Sequence, residues 1–425
     1  MTSVLISGAG IAGPTLAYWL KAAGFAPTLV ERAPALRDGG YVIDFWGLGY
    51  AIAERMGLRP DIDRSGYHVR ELRVVDDAGR RVASFGTKVF TELAGGRYIT
   101  LQRSELSRLL FARIEGCIEC LFGDEIVALE EQPDGVRATL KKAGERRFDL
   151  VIGADGLHSA VRRLAFGAQA QFERHLGYIV AAFEARGYRP RDEDVYLMYG
   201  CPGRMVGRFT LRNDRTLFLL VLAADAAPVS RAAQTAMLRE AYRGCGWECP
   251  RMLDELDRAD GLYFDAVSQI RMPAWSRGRI ALLGDAAFCV SLLAGQGSAL
   301  AMISAYVLAG ELAAAQGRYP EAFARYEARL RGYIGRKQRG AVSFAGAFAP
   351  RTRIGLLLRN TVIRSFAIPG LARLAVGREI ADALELPDYD WPAREGARHQ
   401  LGEAVSIPHT RPARLDAPPA HRPPS

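Results

Sequence analysis

The sequence has little that would place it outside the cell or inside a membrane. Its 425 residues include only six cysteines, too few for the disulfide framework of a small secreted domain. No apolar run reaches the ~20 residues of a membrane-spanning helix, and the first residues lack the basic and apolar segments of a secretory signal. These absences predict a cytoplasmic protein with reduced, mostly buried thiols.

Metal-ligand patterns are also lacking. Cys117 and Cys120 have a spacing that is common in metal and redox sites, but no second pair or histidine cluster accompanies them. Cys245 and Cys249 look equally solitary. The sequence therefore predicts no metal site.

The basic balance, a net charge of +9, suits an anionic dinucleotide as well as nucleic acid or membranes. No basic motif interleaved with aromatic residues is present, so no nucleic-acid partner is predicted. Many arginines lie after residue 329, and the stretch 345–386 reads as basic amphipathic helix. Such a helix can lie on a membrane surface, but we favour a helix that packs over the entrance of the substrate pocket or against another subunit. We expect a monomer or a homodimer.

What the sequence does contain is a dinucleotide-binding βαβ pattern at its N-terminus. An apolar run, residues 3–7, leads into a Gly-x-Gly-x-x-Gly turn, a helix-length segment and a second apolar run that ends in an acid. Gly8 allows the tight turn, Gly10 lets a pyrophosphate approach the backbone, and Gly13 lets helix and strand pack closely. Glu31 stands where a carboxylate accepts hydrogen bonds from an adenosine ribose.

The start of the first helix completes this predicted site. Ile11 and Ala12 lie where free N–H groups and the helix dipole attract phosphates. Arg32 directly follows the acid that ends the second strand. These residues are predicted to contact the dinucleotide.

Two more apolar runs end in acids far along the chain. Residues 148–153 lead into Asp155-Gly156, and Ser159 and Arg162 complete an Asp-Gly-x-x-Ser-x-x-Arg motif. Residues 278–283 lead into Gly284-Asp285. Because ligands bind at the carboxyl ends of strands in an open parallel sheet, these strand ends predict one discontinuous nucleotide-binding domain.

Between these motifs, residues 172–224 are rich in strand signals, and helical stretches follow near 232–242 and 252–257. A mostly antiparallel sheet with covering helices is predicted, positioned as a substrate lid. Some of its large apolar side chains are candidates for the substrate pocket, although ordinary sheet core is the favoured interpretation of each. They are Phe183, Tyr196, Met198, Phe209 and Phe218.

The three motifs together, with Gly295-Gln296-Gly297 after the third, resemble the FAD-dependent aromatic hydroxylases, the single-component flavoprotein monooxygenases of the para-hydroxybenzoate hydroxylase type. The likeness covers roughly residues 2–340, and the absence of a second Gly-x-Gly-x-x-Gly motif agrees with it. The C-terminal helices favour the branch near the tetracycline destructases.

The resemblance implies an α/β fold with a Rossmann-like FAD domain of the GR2 type, an inserted β-sheet substrate domain and C-terminal helices. It implies that NADPH or NADH reduces FAD and that O2 then forms a C4a-hydroperoxyflavin, which oxidises an aromatic or polycyclic small molecule. The predicted boundaries are 1–70, 98–170 and 271–343 for the FAD domain, 71–97 and 171–270 for the substrate domain, 344–390 for the helical segment and 391–425 for a disordered tail.

The resemblance also implies roles for single residues. Arg103 contacts FAD beside its phosphates or ribityl chain, Asp155 lies near the adenosine and pyrophosphate, and Asp285 holds the ribityl hydroxyls. Arg162 braces its turn and meets NAD(P)H. The triplet Gly295, Gln296 and Gly297 lies against the flavin ring, where its N–H groups stabilise negative charge.

Three positions depart from the family pattern. Phe288 replaces a usual histidine, and Leu292 replaces a usual proline in the loop that shapes the substrate side of the flavin. Phe45 and Trp46 follow Asp44 where many relatives have an arginine, so an aromatic side chain is expected to pack in place of a flavin-adjacent arginine.

No catalytic acid or base is assigned, although His158, His175 and Asp265 are conceivable. A flavin-dependent reductase or dehydrogenase of related fold would share the FAD site without inserting oxygen. A halogenase is disfavoured because its Trp-x-Trp-x-Ile-Pro signature is absent. A nucleotide-binding adaptor without turnover is the non-enzymatic alternative.

Overall fold

The computed structural model describes residues 1–37, 39–366, 370, 384–389 and 391. Its helices are α1 (Ala12–Ala22), α2 (Gly47–Arg55), α3 (Arg59–Ser65), α4 (Lys88–Leu93), α5 (Arg103–Ala112), α6 (Ala160–Ala165), α7 (Arg231–Tyr242), α8 (Cys249–Arg258), α9 (Asp285–Phe288), α10 (Gly297–Ala314), α11 (Tyr319–Phe348) and α12 (Arg353–Ser365). Short 3-10 turns cover Gln169–Gln171 and Leu292–Ala294.

The strands follow the same chain order. They are β1 (Ser3–Ser7), β2 (Ala26–Glu31), β3 (Val42–Trp46), β4 (Glu71–Val75), β5 (Arg81–Gly86), β6 (Tyr98–Gln102), β7 (Glu119–Phe122), β8 (Ile126–Gln132), β9 (Gly135–Leu140), β10 (Gly144–Phe148), β11 (Leu150–Gly153), β12 (Glu173–Arg186), β13 (Val195–Cys201), β14 (Arg204–Leu211), β15 (Arg215–Ala223), β16 (Tyr263–Ile270), β17 (Ser276–Arg277) and β18 (Ile280–Leu282).

A six-stranded sheet, which we call the parallel sheet, has the order β17-β18-β11-β1-β2-β7. All neighbours in it are parallel except β17, which pairs antiparallel with β18 at one edge. Its strands come from three remote parts of the chain. The side chains of the four inner strands, β1, β2, β11 and β18, are mostly buried on both faces, which is typical of strands covered by helices on either side.

A seven-stranded sheet, the mainly antiparallel sheet, has the order β16-β12-β15-β14-β13-β4-β5. Its one parallel pair joins β13 to β4, so a segment from the first quarter of the chain completes a sheet built mostly from residues 173–270. Helices α7 and α8 cover its outer face. The smaller β8-β9-β10 and β3-β6 sheets complete the β structure of the described residues. The predicted α/β fold class is confirmed.

Helix α10 is the one helix in the described part of the chain that is long and apolar enough to cross a membrane, and 72% of it is buried inside the protein. It packs against α1, α2 and α11. A helix that is apolar on all sides belongs in a core, and α10 lies in the large core around the parallel sheet.

The C-terminal region contacts the mainly antiparallel sheet and the helices beside the parallel sheet. Helix α12 lies across β5 and β13, and the Arg364 guanidinium donates to the Val82 carbonyl at 2.6 Å. Farther on, the Tyr389 hydroxyl donates to Glu311 at 2.8 Å, and the Trp391 ring lies 4.7 Å from the ring of Trp19. Of the predicted disordered tail, residues 392–425 lie outside the described residues, as do 367–369, 371–383 and 390.

Candidate cofactor and substrate site

The three acids predicted from the sequence lie along one edge of the parallel sheet. Glu31 ends β2, Asp155 follows β11 by two residues, and Asp285 follows β18 by three. Because β18, β11, β1 and β2 are parallel neighbours, their carboxyl ends meet at the same edge.

Glu31 lies against the glycine-rich turn. Its carboxylate accepts hydrogen bonds from the backbone N–H groups of Ala9 and Ala33, both at 2.9 Å. Gly8 has φ +106°, and a Cβ there would meet the Ala154 carbonyl oxygen at 2.7 Å. A Cβ on Gly13 would lie 1.9 Å from the Gly8 carbonyl oxygen. Both glycines are thus required by close packing, whereas Glu31 fixes the turn.

Asp155 holds the start of α6. Its carboxylate accepts hydrogen bonds from the Ser159 hydroxyl at 2.5 Å and from the Ala160 N–H at 2.8 Å. Burial raises the pKa of Asp155, and these hydrogen bonds act in the opposite direction. The carboxylate is therefore oriented by the helix start that follows it.

Arg162 is fully buried and makes the bracing contacts that the sequence predicts. Its guanidinium donates to the carbonyl oxygens of Ala286 at 2.8 Å and Leu157 at 2.6 Å. These contacts brace the turn against α9. The guanidinium has no exposed surface, which agrees with the bracing role, and the contact with NAD(P)H stays a prediction.

Asp285 and Arg103 place opposite charges at this edge of the parallel sheet. Burial raises the pKa of Asp285, while the positive charge of Arg103 lowers it. Arg103 begins α5, and its guanidinium lies 3.6 Å from the position of a Cβ on Gly10. One cation thus lies between the glycine-rich turn and the third acid.

The turn before α10 presents bare backbone. Gly295 has φ +66°, and a Cβ added there would meet nothing within 4 Å. Gln296 precedes the helix without a side-chain cap, and Gly297 opens it. The first N–H groups of a helix have no partner within it, so this turn offers donors to a ligand.

One continuous cleft of about 1160 Å³ joins these features. It exceeds the ~300–1,000 Å³ of common ligand pockets, as a long dinucleotide beside a second molecule requires. The predicted residues that line it are Gly8, Gly10, Ile11, Ala12, Glu31, Arg32, Arg103, Asp155, Gly156, Asp285, Gly295 and Gly297. Gly13, Arg162, Gly284 and Gln296 are not among the residues that line it.

The far end of the cleft has residues that sequence reasoning missed. Tyr41 and Tyr263 meet edge to face, with ring centroids 5.3 Å apart, and both line the cleft together with Ile43 and Leu292. Tyr41 lies just before the Asp44 segment, and Tyr263 begins β16. They lie far apart in the chain, and no local pattern in the sequence links them.

The pocket candidates divide between the two faces of the mainly antiparallel sheet. Phe183 and Phe218 stack on each other, with centroids 5.3 Å apart, in the core under α7 and α8. Both are buried core residues, as the favoured interpretation held, and Phe183 is also one of the residues that line the cleft. Tyr196, Met198 and Phe209 lie on the opposite face, and the Tyr196 hydroxyl is 3.3 Å from the carboxylate of Asp44.

Of the residues that depart from the family pattern, some lie in the core and one lines the cleft. Phe288 is buried against Trp275, with ring centroids 4.6 Å apart, and is a core residue. Phe45 packs against Tyr50, and Trp46 against Tyr98. None of these aromatic residues lines the cleft, so the expected aromatic substitute for arginine is wrong. Leu292 does line it.

The conceivable acid–base residues are occupied by protein partners. His158 Nε2 lies 3.2 Å from both carboxylate oxygens of Asp265, at the cleft wall. His175 Nε2 lies 3.1 Å from the Tyr178 carbonyl. Among the described residues no group of three or more His, Cys, Asp or Glu side chains can hold a metal ion.

Comparison with known proteins agrees with this geometry. A family described as FAD binding domain matches residues 1–332. A flavin-dependent monooxygenase of Legionella longbeachae is 32% identical over 403 residues, which cover 91% of this chain and 98% of that protein. An uncharacterised protein of Mycobacterium tuberculosis, Rv1260, is 39% identical over 345 residues, 80% of this chain and 92% of that protein.

Among solved structures, the tetracycline destructase Tet(55) superposes with a TM-score of 0.78 at 31% identity, covering 91% of this chain and 98% of its own. The glycine-rich turn, the open backbone before α10 and the three acids fit an extended FAD. The chain belongs to the FAD-binding-domain family and is an FAD-dependent monooxygenase.

Proposed function

We propose that this enzyme uses NADPH or NADH and O2 to oxidise an aromatic or polycyclic small molecule, with FAD held in the cleft described above. The observation that carries the proposal is the continuity of that cleft. It runs from Glu31 at the glycine-rich turn, past Asp155 and Asp285, to the aromatic pair Tyr41 and Tyr263.

Within the cleft, each end suits a different part of FAD. The carboxylate of Glu31 would hold the adenosine ribose, and the N–H groups at Gly10 to Ala12 would hold the pyrophosphate. Asp285 would accept hydrogen bonds from the ribityl hydroxyls beside Arg103. The backbone at Gly295 and Gly297 would lie against the flavin ring, because no side chain stands between it and the cleft.

FAD, once bound, supplies the redox chemistry with O2. The protein supplies the charge and the shape around it. The start of α10 directs unpaired N–H groups into the cleft, where they stabilise negative charge on a ring. Tyr41, Tyr263 and Leu292 enclose the adjoining space with apolar surface, which excludes water from the reacting atoms.

The substrate is proposed to lie at this apolar end. Aromatic faces at Tyr41 and Tyr263 favour a planar ligand, and the similar structure named as a tetracycline destructase supports a polycyclic class. No side chain is assigned as an acid or base, since His158 and Asp265 pair with each other.

The test is a turnover assay on purified protein. We expect bound FAD by absorbance, faster reduction by NADPH or NADH when one of a panel of phenols, quinones or polycyclic antibiotics is present, and O2 uptake with oxygen in the product. Flavin reduction without O2 uptake would instead identify a reductase or dehydrogenase. If neither NADPH nor NADH reduced the bound flavin, the result would favour a nucleotide-binding protein without turnover.

A matched pair of variants ties the result to the cleft. Asp285→Asn keeps the shape of the side chain and removes the carboxylate, and we expect weaker FAD binding by roughly 10-fold or more. Asp134→Asn, at an exposed site, should bind FAD as the wild type does.

Four expectations from the sequence stay predictions. They are the domain boundaries, the cytoplasmic location, the monomeric or homodimeric state and the disfavoured membrane contact.

A further inference from the structure

Three thiols come together on the outer face of the mainly antiparallel sheet, and none of them lines the cofactor cleft. Cys201 ends β13, Cys245 lies between α7 and α8, and Cys249 begins α8. The sulfur atoms of Cys201 and Cys245 are 2.8 Å apart. The interpretation of Cys245 and Cys249 as solitary is therefore wrong.

The connection that carries Cys245 is fixed to the sheet on both sides of it. Before it, the Tyr242 hydroxyl lies 2.9 Å from the carbonyl oxygens of both Met205 and Val221. After it, the Gly246 N–H donates to the Tyr199 hydroxyl at 3.0 Å. The two sulfur atoms thus stay close enough to bond at the ~2.05 Å of a disulfide after a small shift.

The surroundings of the three thiols distinguish them chemically. The thiols of Cys201 and Cys249 and the guanidinium of Arg204, 3.7 Å away, lower the pKa of Cys245 by donating towards its sulfur. The same contact and burial raise the pKa of Cys201 and of Cys249. One thiolate beside neutral thiols is the arrangement of an attacking and a resolving cysteine.

We propose that Cys245 and Cys201 form a peroxide-sensitive dithiol site, which hydrogen peroxide converts to a reversible disulfide. The Cys245 thiolate attacks one peroxide oxygen, the O–O bond breaks, and the departing hydroxide takes the proton of Cys201 to become water. The Cys201 sulfur then attacks the sulfur of the Cys245 sulfenic acid, and the second hydroxide leaves and is protonated by solvent. The two sulfurs lose two electrons and the peroxide gains them.

This disulfide would join the turn between β13 and β14 to the connection between α7 and α8. The same turn holds the segment before α12, because the Gly203 N–H donates to the Pro350 carbonyl at 2.8 Å. Oxidation would therefore restrict a region on which the C-terminal helix rests. In a reducing cell the resting state would be the dithiol.

The experiment treats the full-length protein with hydrogen peroxide and maps its peptides by mass. We expect a linked peptide pair containing Cys201 and Cys245, loss of two free thiols, and their return with dithiothreitol. Cys245→Ser should abolish the link and leave Cys201 reduced. Cys201→Ser combined with Cys249→Ser should leave a sulfenic acid on Cys245 that dimedone traps. Cys117→Ser, in another part of the chain, should behave as the wild type.

The pH profile separates a reactive site from two cysteines that are merely close, and it needs no variant. Oxidation at Cys245 should stay nearly constant between about pH 8 and pH 6, whereas a thiol with a pKa of ~8.5 slows about 75-fold. A slowing of that size, a first oxidation at another cysteine, or a folded wild type that yields no Cys201–Cys245 link would overturn the proposal. Zinc retained by the purified protein would do so as well.

Discussion

The two large sheets expose their functional residues in different ways. In the parallel sheet these residues stand at strand ends, where Glu31, Asp155 and Asp285 follow β2, β11 and β18. In the mainly antiparallel sheet they stand on one face. Tyr263 lines the cleft, while its neighbour Phe264 packs with the core under α7 and α8.

This difference shows which features of the sequence determine the site at each sheet. A site at strand ends is built from turns and helix starts, so backbone freedom and N–H groups decide it. A site on a face is decided by side chains that alternate between two environments. Changes at glycines should therefore act on the cofactor side, and changes of aromatic residues should depend on which face they occupy.

The largest expected effect is at Gly10. A Cβ there would meet only the Arg103 guanidinium, at 3.6 Å, so Gly10→Val should fill the pyrophosphate position without disturbing the fold. We expect FAD affinity to fall by about 100-fold or more, as the loss of charge-assisted hydrogen bonds implies. Titration of the apoprotein with FAD would measure this.

Gly13→Ala is the matched control in the same turn. Its Cβ would lie 1.9 Å from the Gly8 carbonyl oxygen, so the apoprotein itself should lose thermal stability, whereas Gly10→Val should keep its Tm within ~2 °C. Wild-type FAD binding by Gly10→Val would show that the glycine-rich turn does not hold the pyrophosphate.

Much of the parallel sheet was predictable, because its signals are local. Gly8 and Gly13 are required by backbone contacts within one βαβ unit, and apolar runs that end in an acid mark strand ends wherever they occur in the chain. The α/β class, the FAD cofactor and the monooxygenase activity followed from the family resemblance that these motifs carry. Arg162 shows the limit of a motif, since its spacing did not reveal that the guanidinium is buried.

The strands of the mainly antiparallel sheet could be predicted from the sequence, but the face of the sheet on which each side chain lies could not. Phe183 and Phe218 point away from Tyr196 and Phe209 because their register positions differ, and all four side chains are aromatic. The pairing that places Cys201 beside Cys245 depends on how a turn meets a distant loop. Such contacts between elements leave no local pattern.

A smaller effect tests the two faces at adjacent positions. Tyr263→Leu removes one member of the aromatic pair in the cleft and should weaken substrate binding by about 2–10-fold, the range expected for an aromatic contact. Phe264→Leu should leave substrate affinity unchanged and lower the Tm by a few degrees, because it reduces packing in the core. Substrate-dependent flavin reduction and thermal melts measure the two effects.

Both variants need the best substrate found in the panel, and wild-type protein serves as their common reference. If Phe264→Leu weakened substrate binding as much as Tyr263→Leu, residue alternation would not separate the pocket from the core. The comparison between the two sheets would then fail for the mainly antiparallel one.

The smallest effect concerns the contact that joins the two sheets. His158 follows β11, and Asp265 lies on β16. The hydrogen bond to Asp265 raises the pKa of His158, and Glu173 and Gln169 act in the same direction. A raised pKa in the folded state stabilises the protein fully below the ordinary value of 6.5, and that contribution is lost as the pH rises through the raised value.

His158→Gln should therefore lower the free energy of unfolding at about pH 5.5 and leave it unchanged at about pH 9. The expected loss is only about 0.3–1 kcal/mol, because the His158 side chain is half exposed and solvent screens the pair. Denaturant unfolding at both pH values measures it, with the exposed His68→Gln as control. A loss that persisted at the higher pH would mean that His158 joins the sheets by packing rather than by its charge.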